Sequence, residues 1–459
     1  FGGYFQYLQP NGTPLGLAPG NPVASLRNLR NVSDVNRFIG NVQLDYKIHG
    51  VEGLRANLNL GTDISRAEGS TANSVTDFGN FNPDAAARTN PNLNGRFQQS
   101  NQQKDMRLLE AYLAYGRQFG GTRFDIQAGH SYQDFVNQGD NFLAFRADCT
   151  TLVNPDDSLT VPGYYSKLVL LSYFGRTTIN VKDRYLLTAT LRNDNTSRFA
   201  EENRSGWFPA VGLGWRIKGE NFLADNNTIS ELKLRAGWGR TGQQDVGGVY
   251  DNLPRYALSN SSARYQFGNE FITTQRPSGY NRDLRWETTT TWNGGLDYGF
   301  FDNRITGSID VYERNSTDLL AEIDVPAGGN LTNRLVANIG SLRNRGIEFL
   351  INGSVVRSQD LTVDLNFNAA YNRNEITDLG PQLPSFLGYQ VGGIPGGTGT
   401  TIQVQRVGSP SNAFFVRQQV YGADGRPVEG VYVDQNGDGI INELDLYTYK
   451  QAAPLVTLG

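Results

Sequence analysis

The chain has 459 residues and a formal net charge of −4, so no excess of basic residues indicates nucleic-acid binding. Hydrophobic residues make up 38% and the mean hydropathy is −0.45. No apolar run approaches the roughly 20 residues that a membrane-spanning helix requires. The single cysteine excludes a disulfide framework within the chain, and the two histidines leave little material for histidine-based metal or proton chemistry.

The first half of the chain alternates predicted hairpins with polar loops. Residues 1–35, 65–104 and 137–163 predict loops because they are rich in Gly, Pro, Asn or Gln. Cys149 falls in the third of these, and we interpret it as an unreactive free thiol. Alternating apolar and polar residues predict strands at 38–48, 54–62, 107–118, 122–133, 167–180 and 184–195.

The second half continues the same strand–turn–strand organisation, with no domain linker. Residues 207–218, 231–240 and 413–421 predict further strands, whereas residues 380–408 are rich in Gly and Pro. Residues 241–283 are irregular and rich in Gly, Asn, Gln and Tyr. They form the largest candidate for a surface loop that contacts a partner or a substrate. With the four strands described next, the count reaches about a dozen, with boundary errors of a few residues each.

The clearest strand pattern lies at residues 284–371. Side chains of a strand point alternately to opposite faces. At residues 286–298 this puts Trp286, Trp292, Leu296 and Tyr298 on an apolar face and Glu287 with Thr, Asn and Asp residues on a polar face. The same alternation returns at residues 305–311, 347–355 and 361–371.

The length of these runs favours a membrane barrel over a soluble sheet, whose strands average about 5–6 residues. The twelve steps from Trp286 to Tyr298 correspond to about 40 Å at roughly 3.3 Å per residue. Tilted by about 45°, they span roughly 28 Å, close to the apolar band of an outer-membrane barrel with an aromatic residue at each end. A soluble sandwich explains the alternation but not the length. The predicted fold class is therefore all-β, a transmembrane antiparallel barrel with a polar lumen.

The sharpest local motif is a calcium-type loop at residues 434–445, DQNGDGIINELD. Calcium prefers six to eight oxygen ligands, and this spacing wraps them around one ion. The predicted ligands are the side chains of Asp434, Asn436 and Asp438, the carbonyl of Ile440 and the closing carboxylate of Asp445. Asp in place of Glu at the last position shortens the closing arm. The alternative is a solvated Asn-Gly/Asp-Gly turn, and the predicted role of calcium is to stiffen an extracellular loop.

Other conspicuous residues have plainer explanations. Gly237, Gly239 and Gly242 lie at a strand end with no helix after them, so they indicate strand-to-loop flexibility more than a phosphate loop. His130 is expected at the lumen or the rim rather than in a catalytic site. Aromatic residues in the loops stack on sugar rings, pack against a partner or pack the loop on itself, and the sequence leaves these alternatives open. They are Tyr250, Tyr256, Tyr265, Phe267, Phe271 and Tyr280.

Eight segments follow one another in a recognisable order: DRYLLTATLR (183–192), SRF (197–199), WFPA (207–210), LKLRAGWGRTG (232–242), LRWET (284–288), DVYER (310–314), NRGIE (344–348) and YVDQNGDGIIN (432–442). Together they resemble the SusC/RagA family of TonB-dependent outer-membrane transporters of Bacteroidota, and the resemblance covers residues 21–459.

The resemblance implies a barrel of 22 antiparallel strands with an N-terminal plug, in the outer membrane and in contact with its lipid. It implies import of oligosaccharides or peptides, a SusD-like surface lipoprotein as a lid, and energy from TonB–ExbB–ExbD. The chain begins without an export signal and shows no plug, TonB box or final strands. We therefore expect residues 1–459 to be one part of such a barrel within a longer protein, with the calcium-type loop inside it.

Three alternatives remain open at this point. The first is a structural or binding component of a larger outer-membrane assembly without active import. The second is a secreted calcium-binding β protein or adhesin, which predicts solubility without detergent. The third is a glycoside hydrolase, but no pair of carboxylates stands out on a suitable scaffold. The preferred interpretation is a transporter that performs no covalent chemistry.

Overall fold

The computed structural model describes residues 2–15, 18–140, 142–153, 163–245, 247–258, 264–326, 328–380, 386–394 and 401–459. Parts of the predicted loops 137–163, 241–283 and 380–408 therefore lie outside the described residues. Within these ranges the α-helices are α1 (Pro22–Asn28) and α2 (Ala85–Thr89). Short 3-10 helices cover Phe78–Asn80, Pro91–Leu93, Glu201–Asn203, Ile217–Gly219, Asn221–Leu223 and Glu443–Asp445.

Strands dominate the structure and follow one another along the whole chain. In the first part they are β1 (Leu29–Lys47), β2 (Leu54–Asn73), β3 (Arg96–Phe119), β4 (Thr122–Gly139), β5 (Ala144–Phe145), β6 (Tyr164–Val181), β7 (Tyr185–Thr196), β8 (Ser205–Arg216), β9 (Ile229–Gln243), β10 (Tyr256–Leu258), β11 (Tyr265–Phe267), β12 (Glu270–Ile272) and β13 (Gln275–Pro277). In the second part they are β14 (Glu287–Phe300), β15 (Ile305–Thr317), β16 (Leu320–Asp324), β17 (Arg334–Asn338), β18 (Ser341–Arg357), β19 (Thr362–Asp378), β20 (Tyr389–Gly393), β21 (Thr401–Gln405), β22 (Ala413–Arg417), β23 (Gln419–Tyr421), β24 (Pro427–Tyr432), β25 (Leu446–Gln451) and β26 (Val456–Leu458).

One large antiparallel sheet forms the wall of the molecule. Within the described residues it contains fourteen strands, in the order β1-β2-β3-β4-β6-β7-β8-β9-β14-β15-β18-β19-β26, with β5 paired to β3. Neighbours in the sheet are neighbours among the long strands in sequence, so the wall is an up-and-down meander. Short turns join the strands at one end and long loops join them at the other. This asymmetry is typical of outer-membrane barrels, whose short turns face the periplasm.

The strand register confirms the alternation that the sequence predicts. Leu296 on β14 lies opposite Leu234 on β9 and Ile309 on β15, and Ile309 lies opposite Phe349 on β18. Because directly opposite residues share a face, these apolar side chains form one continuous row, and we call their side of the sheet the outward face. The inward face carries Asp297 and other polar residues.

The outward face is apolar and exposed, which is the reverse of a soluble sheet. Val311, Ile347 and Leu365 are among its exposed large side chains. A soluble protein rarely exposes apolar patches of more than a few hundred Å². A lipid bilayer is the environment that covers such a face. Among the described residues, no helix is both long and apolar enough to cross a membrane.

Aromatic residues mark the ends of the apolar face, although not the ones that the sequence suggested. Trp286 is buried, so its prediction as the aromatic residue at one end of the membrane span is wrong. That position belongs to Trp292, which is 60% exposed and whose ring lies 6.0 Å from that of Trp238. Phe300 lies at the other end. The eight steps from Trp292 to Phe300 correspond to about 26 Å along the strand, or roughly 20 Å of membrane at the usual tilt.

Several strands extend much further than predicted on the long-loop side. β2 ends at Asn73 and β3 begins at Arg96, so much of the predicted loop 65–104 is a continuous ladder. Likewise β1 begins at Leu29, within the segment predicted as loop. Ser, Thr, Asn and Gln are common in loops, but they also occur on both faces of a strand that has water on both sides. The composition of these segments therefore does not distinguish a loop from such a strand. The 24 residues of β3 span about 79 Å along the strand, far beyond the membrane.

A small hydrophobic core lies at the long-loop end, where residues of three loops pack against Phe208 near the start of β8. Phe199, Phe208, Leu284, Trp286 and Leu320 pack together, and Val336 packs against them; we call this group the loop core. The Trp286 ring meets the rings of Phe199 and Phe208 edge-on at 5.8 and 5.3 Å. The loop core therefore joins three loops that are distant in sequence.

Candidate functional site

The inward face carries a charged network at the centre of the wall. Arg235 on β9 donates two hydrogen bonds to Asp297 on β14, at 2.9 and 2.8 Å, and one to Asp310 on β15 at 2.9 Å. The ions are about one-third exposed, so the network is accessible to water. Exposed ion pairs add little stability. The main consequence of the network is a hydrophilic inner wall.

A glycine makes this network possible. Gly295 on β14 lies between Arg235 and Asp310 in the register. A Cβ atom at Gly295 would overlap the Asp310 carboxylate and lie 2.7 Å from Arg235 Nη2. The Arg235 side chain therefore crosses β14 over the missing side chain. The alternation of residues 286–298 predicts Asp297 on a polar face, but it gives no sign of this network, because the network depends on which distant strands pair.

A groove of about 600 Å³ lies beside the network and exposes strand backbone. Its floor includes Gly212, Gly214, Gly237 and Gly239, on β8 and β9. Around the floor lie the inward side chains of Arg176, Thr188, Thr190, Lys233, Arg235, Thr291 and Asn293. The groove is thus a concavity in the inner wall whose lining combines strand backbone and polar side chains with apolar residues such as Leu186 and Ala210. Gly237, Gly239 and Gly242 all lie within β9.

The long loops are tied to one another and to the wall by partly buried polar contacts. Arg198 is buried and its Nη2 bonds Asp245 Oδ1 at 2.5 Å. The Trp286 indole donates to the carbonyl of Arg204 at 2.8 Å. The Tyr250 hydroxyl accepts from the backbone N–H of Lys167 at 2.9 Å. These loops form a structured platform beyond the apolar band.

The loop aromatics divide into one residue that packs within the loops and a group that is exposed. Tyr250 contributes to packing within the platform through its bond to Lys167. Tyr265, Phe267 and Phe271 remain exposed on the small hairpin of β11 and β12, and so does Tyr256 on β10. For the exposed group, stacking on a sugar ring and packing against a partner both stay open.

The calcium-type loop connects β24 to β25 and bonds mainly to itself. Asp434 accepts from the backbone N–H groups of Gly437 and Gly439, both at 2.7 Å. Asn436 accepts from the N–H of Asp438 at 3.0 Å, and Asp438 accepts from the N–H of Ile440 at 2.8 Å. The Ile440 carbonyl accepts from the Asn442 side chain at 3.4 Å. The side chains of Asp434, Asn436 and Asp438 are therefore engaged with the loop backbone.

Asp445 has a structural role that the sequence did not reveal. It is fully buried, and its two oxygens accept from the N–H groups of Gln435 and Asn442, each at 2.8 Å. With Asn442 it forms the capping box of the 3-10 helix Glu443–Asp445. The hydrogen bond from Asn442, followed by that from Gln435, lowers the pKa of Asp445 below the usual value of a carboxyl group. Among the described residues, no group of three His, Cys, Asp or Glu side chains is arranged to hold a metal ion.

Two further predicted positions are resolved by the structure. His130 lies on the outward face, opposite Ala111 and Tyr173, so the expectation of a lumen position is wrong. Its ring lies 4.9 Å from that of Tyr173, and its Nδ1 lies 3.0 Å from the Ser172 carbonyl oxygen. Cys149 is a free, exposed thiol in a long loop.

Comparison with known proteins agrees with this architecture. The family model "TonB dependent receptor-like, beta-barrel" matches residues 1–439. The chain is 40% identical over 445 residues to the TonB-dependent receptor SusC of Bacteroides thetaiotaomicron, covering 96% of this chain and 43% of SusC. It is 37% identical over 224 residues to the TonB-dependent receptor P39 of Formosa agariphila, covering 49% of this chain and 20% of P39. The chain thus spans less than half the length of these relatives.

A solved structure has the same fold. The structure of the RagAB peptide transporter superimposes with a TM-score of 0.75 at 22% identity, covering 98% of this chain and 49% of that chain. The match confirms the predicted all-β antiparallel barrel architecture. The family comprises receptors rather than enzymes, in agreement with the non-enzymatic interpretation. The polar inner wall, the apolar outward face and the matched family together identify the chain as a member of the TonB-dependent receptor-like β-barrel family of the outer membrane.

Proposed function

We propose that this chain is the barrel part of a SusC/RagA-type transporter that imports oligosaccharides or peptides across the outer membrane. The observation that supports import best is the contrast between the two faces of one sheet. The outward face is an apolar surface suited to lipid, whereas the inward face carries Arg235, Asp297 and Asp310 in a water-accessible network. Such a wall encloses a path for hydrophilic solutes.

The proposed partners follow from the family. A SusD-like surface lipoprotein covers the long-loop end as a lid, and TonB–ExbB–ExbD supplies energy from the inner membrane. The exposed aromatics of the β11–β12 hairpin support contact with a partner or a substrate, because aromatic side chains bury large areas at low entropic cost. Import and partners belong to the whole protein, of which this chain is a part.

An uptake assay tests the proposal and separates the two substrate classes. Wild-type cells, cells lacking this protein and cells lacking TonB receive labelled oligosaccharides or labelled peptides, and depletion from the medium is measured. We expect one class to lose uptake in both mutant strains. Normal uptake of both classes in cells lacking this protein would contradict import. If cells lacking this protein took up both classes normally but no longer bound one of them at the surface, the alternative of a binding component in a larger assembly would be favoured.

We also propose that the loop at residues 434–445 binds calcium as a structural ion. Its oxygen donors fit a hard cation: Asp434, Asn436 and Asp438 are grouped on one loop, and the Ile440 carbonyl lies beside them. Asp445 fits less well as the closing ligand, because both of its oxygens accept backbone hydrogen bonds. The ion would hold the β24–β25 connection in one conformation.

Terbium luminescence tests this second proposal without reference to transport. Terbium replaces calcium at oxygen sites and is detected directly. We expect calcium-displaceable luminescence that disappears in Asp438→Ala, while Asp424→Ala, which removes a carboxylate from a nearby turn, retains it. Luminescence that is absent from the unsubstituted protein, or equal in both variants, would favour the solvated-turn alternative.

A further inference from the structure

The connection between β8 and β9, residues 217–228, differs from the other turns at the short-turn end. The turns at residues 120–121, 182–184 and 301–304 simply reverse the chain. In contrast, the β8–β9 turn contains two consecutive 3-10 helices, Ile217–Gly219 and Asn221–Leu223. A turn that is longer than chain reversal requires, and is itself folded, calls for a physical explanation.

A single carboxylate holds this turn against the wall. Glu220 accepts from the Tyr185 hydroxyl at 2.7 Å, from the Trp215 indole at 3.0 Å and from Arg184 Nη1 at 3.1 Å. These donors lower the pKa of Glu220, with the Tyr185 hydrogen bond the largest cause. The Lys218 ammonium closes the turn from within by donating to the carbonyls of Leu223 and Asn226, at 2.9 and 2.7 Å. The turn therefore has a defined orientation.

That orientation is towards the outside of the barrel. Tyr185 lies opposite Trp215, and Trp215 lies opposite Leu234, which belongs to the apolar row of the outward face. Because Tyr185 and Trp215 both face outwards, a carboxylate that bonds both of them lies on the outward side. Trp and Tyr at this level are the residues that line the membrane–water boundary of outer-membrane barrels.

The turn carries an exposed aromatic residue beside this boundary. Phe222 is 71% exposed, although it lies only two residues from Glu220, which is held by three hydrogen bonds. The neighbouring turn adds Phe301, which is also exposed and whose N–H bonds the carbonyl of Thr228 at 2.8 Å. Phe222 and Phe301 are thus exposed aromatic residues at the same end of the wall as the outward-facing Tyr185 and Trp215.

We propose that the β8–β9 turn is a membrane anchor that inserts Phe222 into the periplasmic leaflet of the outer membrane, with Glu220 as the residue that positions it. The occupant is phospholipid, because Glu220, two residues before Phe222, is bonded to Tyr185 and Trp215 on the face that lipid already covers. Burial of an aromatic side chain at this level fixes the height of the barrel in the bilayer. The proposal rests on the outer-membrane location and is independent of what the protein transports.

Site-specific fluorescence in vesicles tests the anchor. In a Cys149→Ser background, Phe222→Cys is labelled with the environment-sensitive fluorophore NBD. The whole protein is then reconstituted in phosphatidylcholine vesicles with or without brominated acyl chains. Gln359→Cys, on the exposed turn between β18 and β19 at the same end, is the matched control. We expect blue-shifted emission and at least twofold quenching by brominated lipid at position 222, and neither effect at position 359. Water-like emission and equal, weak quenching at both positions would overturn the proposal and favour a periplasmic protein contact.

A second variant tests the positioning role of Glu220. Glu220→Ala removes the acceptor shared by Tyr185, Trp215 and Arg184, so the turn should leave the outward face. We expect quenching of the label at position 222 to fall towards the value at position 359, while the barrel retains its resistance to unfolding in detergent. Unchanged quenching in Glu220→Ala would contradict the assignment of Glu220 as the positioning residue.

Discussion

At the residue scale, glycine determines where polar side chains of the inner wall meet. Arg235 and Asp310 lie on strands that are separated by β14, and they bond directly because residue 295 has no side chain. A glycine within a strand weakens the sheet, because it has no side chain to pack, unless another group fills the space that the side chain would occupy. Here the guanidinium of Arg235 occupies it, so the glycine belongs to the charged network.

Substitution of this glycine should be costly for steric reasons. In Gly295→Ala the new methyl group overlaps the Asp310 carboxylate and crowds Arg235. Overpacking of this kind typically costs about 1–3 kcal/mol. Gly294→Ala, one residue away on the outward face, places its methyl group at an ordinary 3.7 Å from Val311 and is the control. Urea unfolding in detergent should show a lower midpoint for Gly295→Ala only, and equal midpoints would contradict the role of Gly295.

The hydrogen bonds of Glu220 predict that the stability of the β8–β9 turn depends on pH. Its pKa is lowered in the folded protein, so its contribution to turn stability is fully present above the ordinary glutamate pKa of about 4.3 and is lost as the pH falls through the lowered value. Hydrogen exchange of residues 217–226, corrected for intrinsic rates, should show protection that decreases on acidification. In Glu220→Gln the decrease should be much smaller, whereas Glu52→Gln, in an exposed turn, should behave as the unsubstituted protein. The same acid response in all three proteins would refute this explanation.

At the scale of elements, the strands within the membrane were predictable and their extensions were not. Inside the bilayer the two faces meet different environments, so alternation is strong, as in residues 286–298. Beyond it both faces meet water, and the polar upper parts of β2 and β3 have no alternation to detect. Trp286 shows the same limit, because only the tertiary structure reveals that it leaves the wall for the loop core. The calcium-type motif was recognisable from its spacing, whereas the capping role of Asp445 depends on local folding.

The loop core predicts that the long loops unfold together. Trp286→Ala leaves a cavity among Phe199, Phe208 and Leu320, and a buried Trp→Ala change typically costs about 3–5 kcal/mol. Limited proteolysis should therefore cut Trp286→Ala much faster within residues 244–286 and 318–340, with the wall intact. Tyr256→Ala, which truncates an exposed ring in the same loop, is the control. Equal cleavage rates in the two variants would show that the loops fold independently of the loop core.

At the scale of the whole molecule, one sheet separates two environments. Its outward face is apolar and aromatic at its ends, and its inward face is polar and grooved. Membership of the TonB-dependent receptor-like β-barrel family explains both faces, because a barrel wall meets lipid on one side and a hydrophilic interior on the other.

Phe substitutions at two glycines, one facing inwards and one facing outwards, test whether the groove lies on the transport path. Gly212 lies in the floor of the groove, and among the described residues no atom lies within 4 Å of a Cβ placed there. The Cβ of Gly212→Phe meets no neighbouring atom and its ring narrows the groove, so we expect a several-fold loss of uptake. Gly353 has equally open space but faces outwards, and Gly353→Phe should transport normally. If both variants lost uptake equally, or if neither lost it, this part of the wall would be excluded from the transport path.

One structure, that of the native complex purified in mild detergent with its partners retained, would test the proposed function at both faces of the wall. We expect a closed barrel with lipid or detergent against Leu234, Leu296 and Ile309, water around Arg235, and a lipoprotein over the loop core. Density for an oligosaccharide or a peptide beneath that lipoprotein would identify the substrate class. Protein density over the apolar row instead of lipid, or a wall built into a larger assembly with no path through it, would contradict import through this barrel.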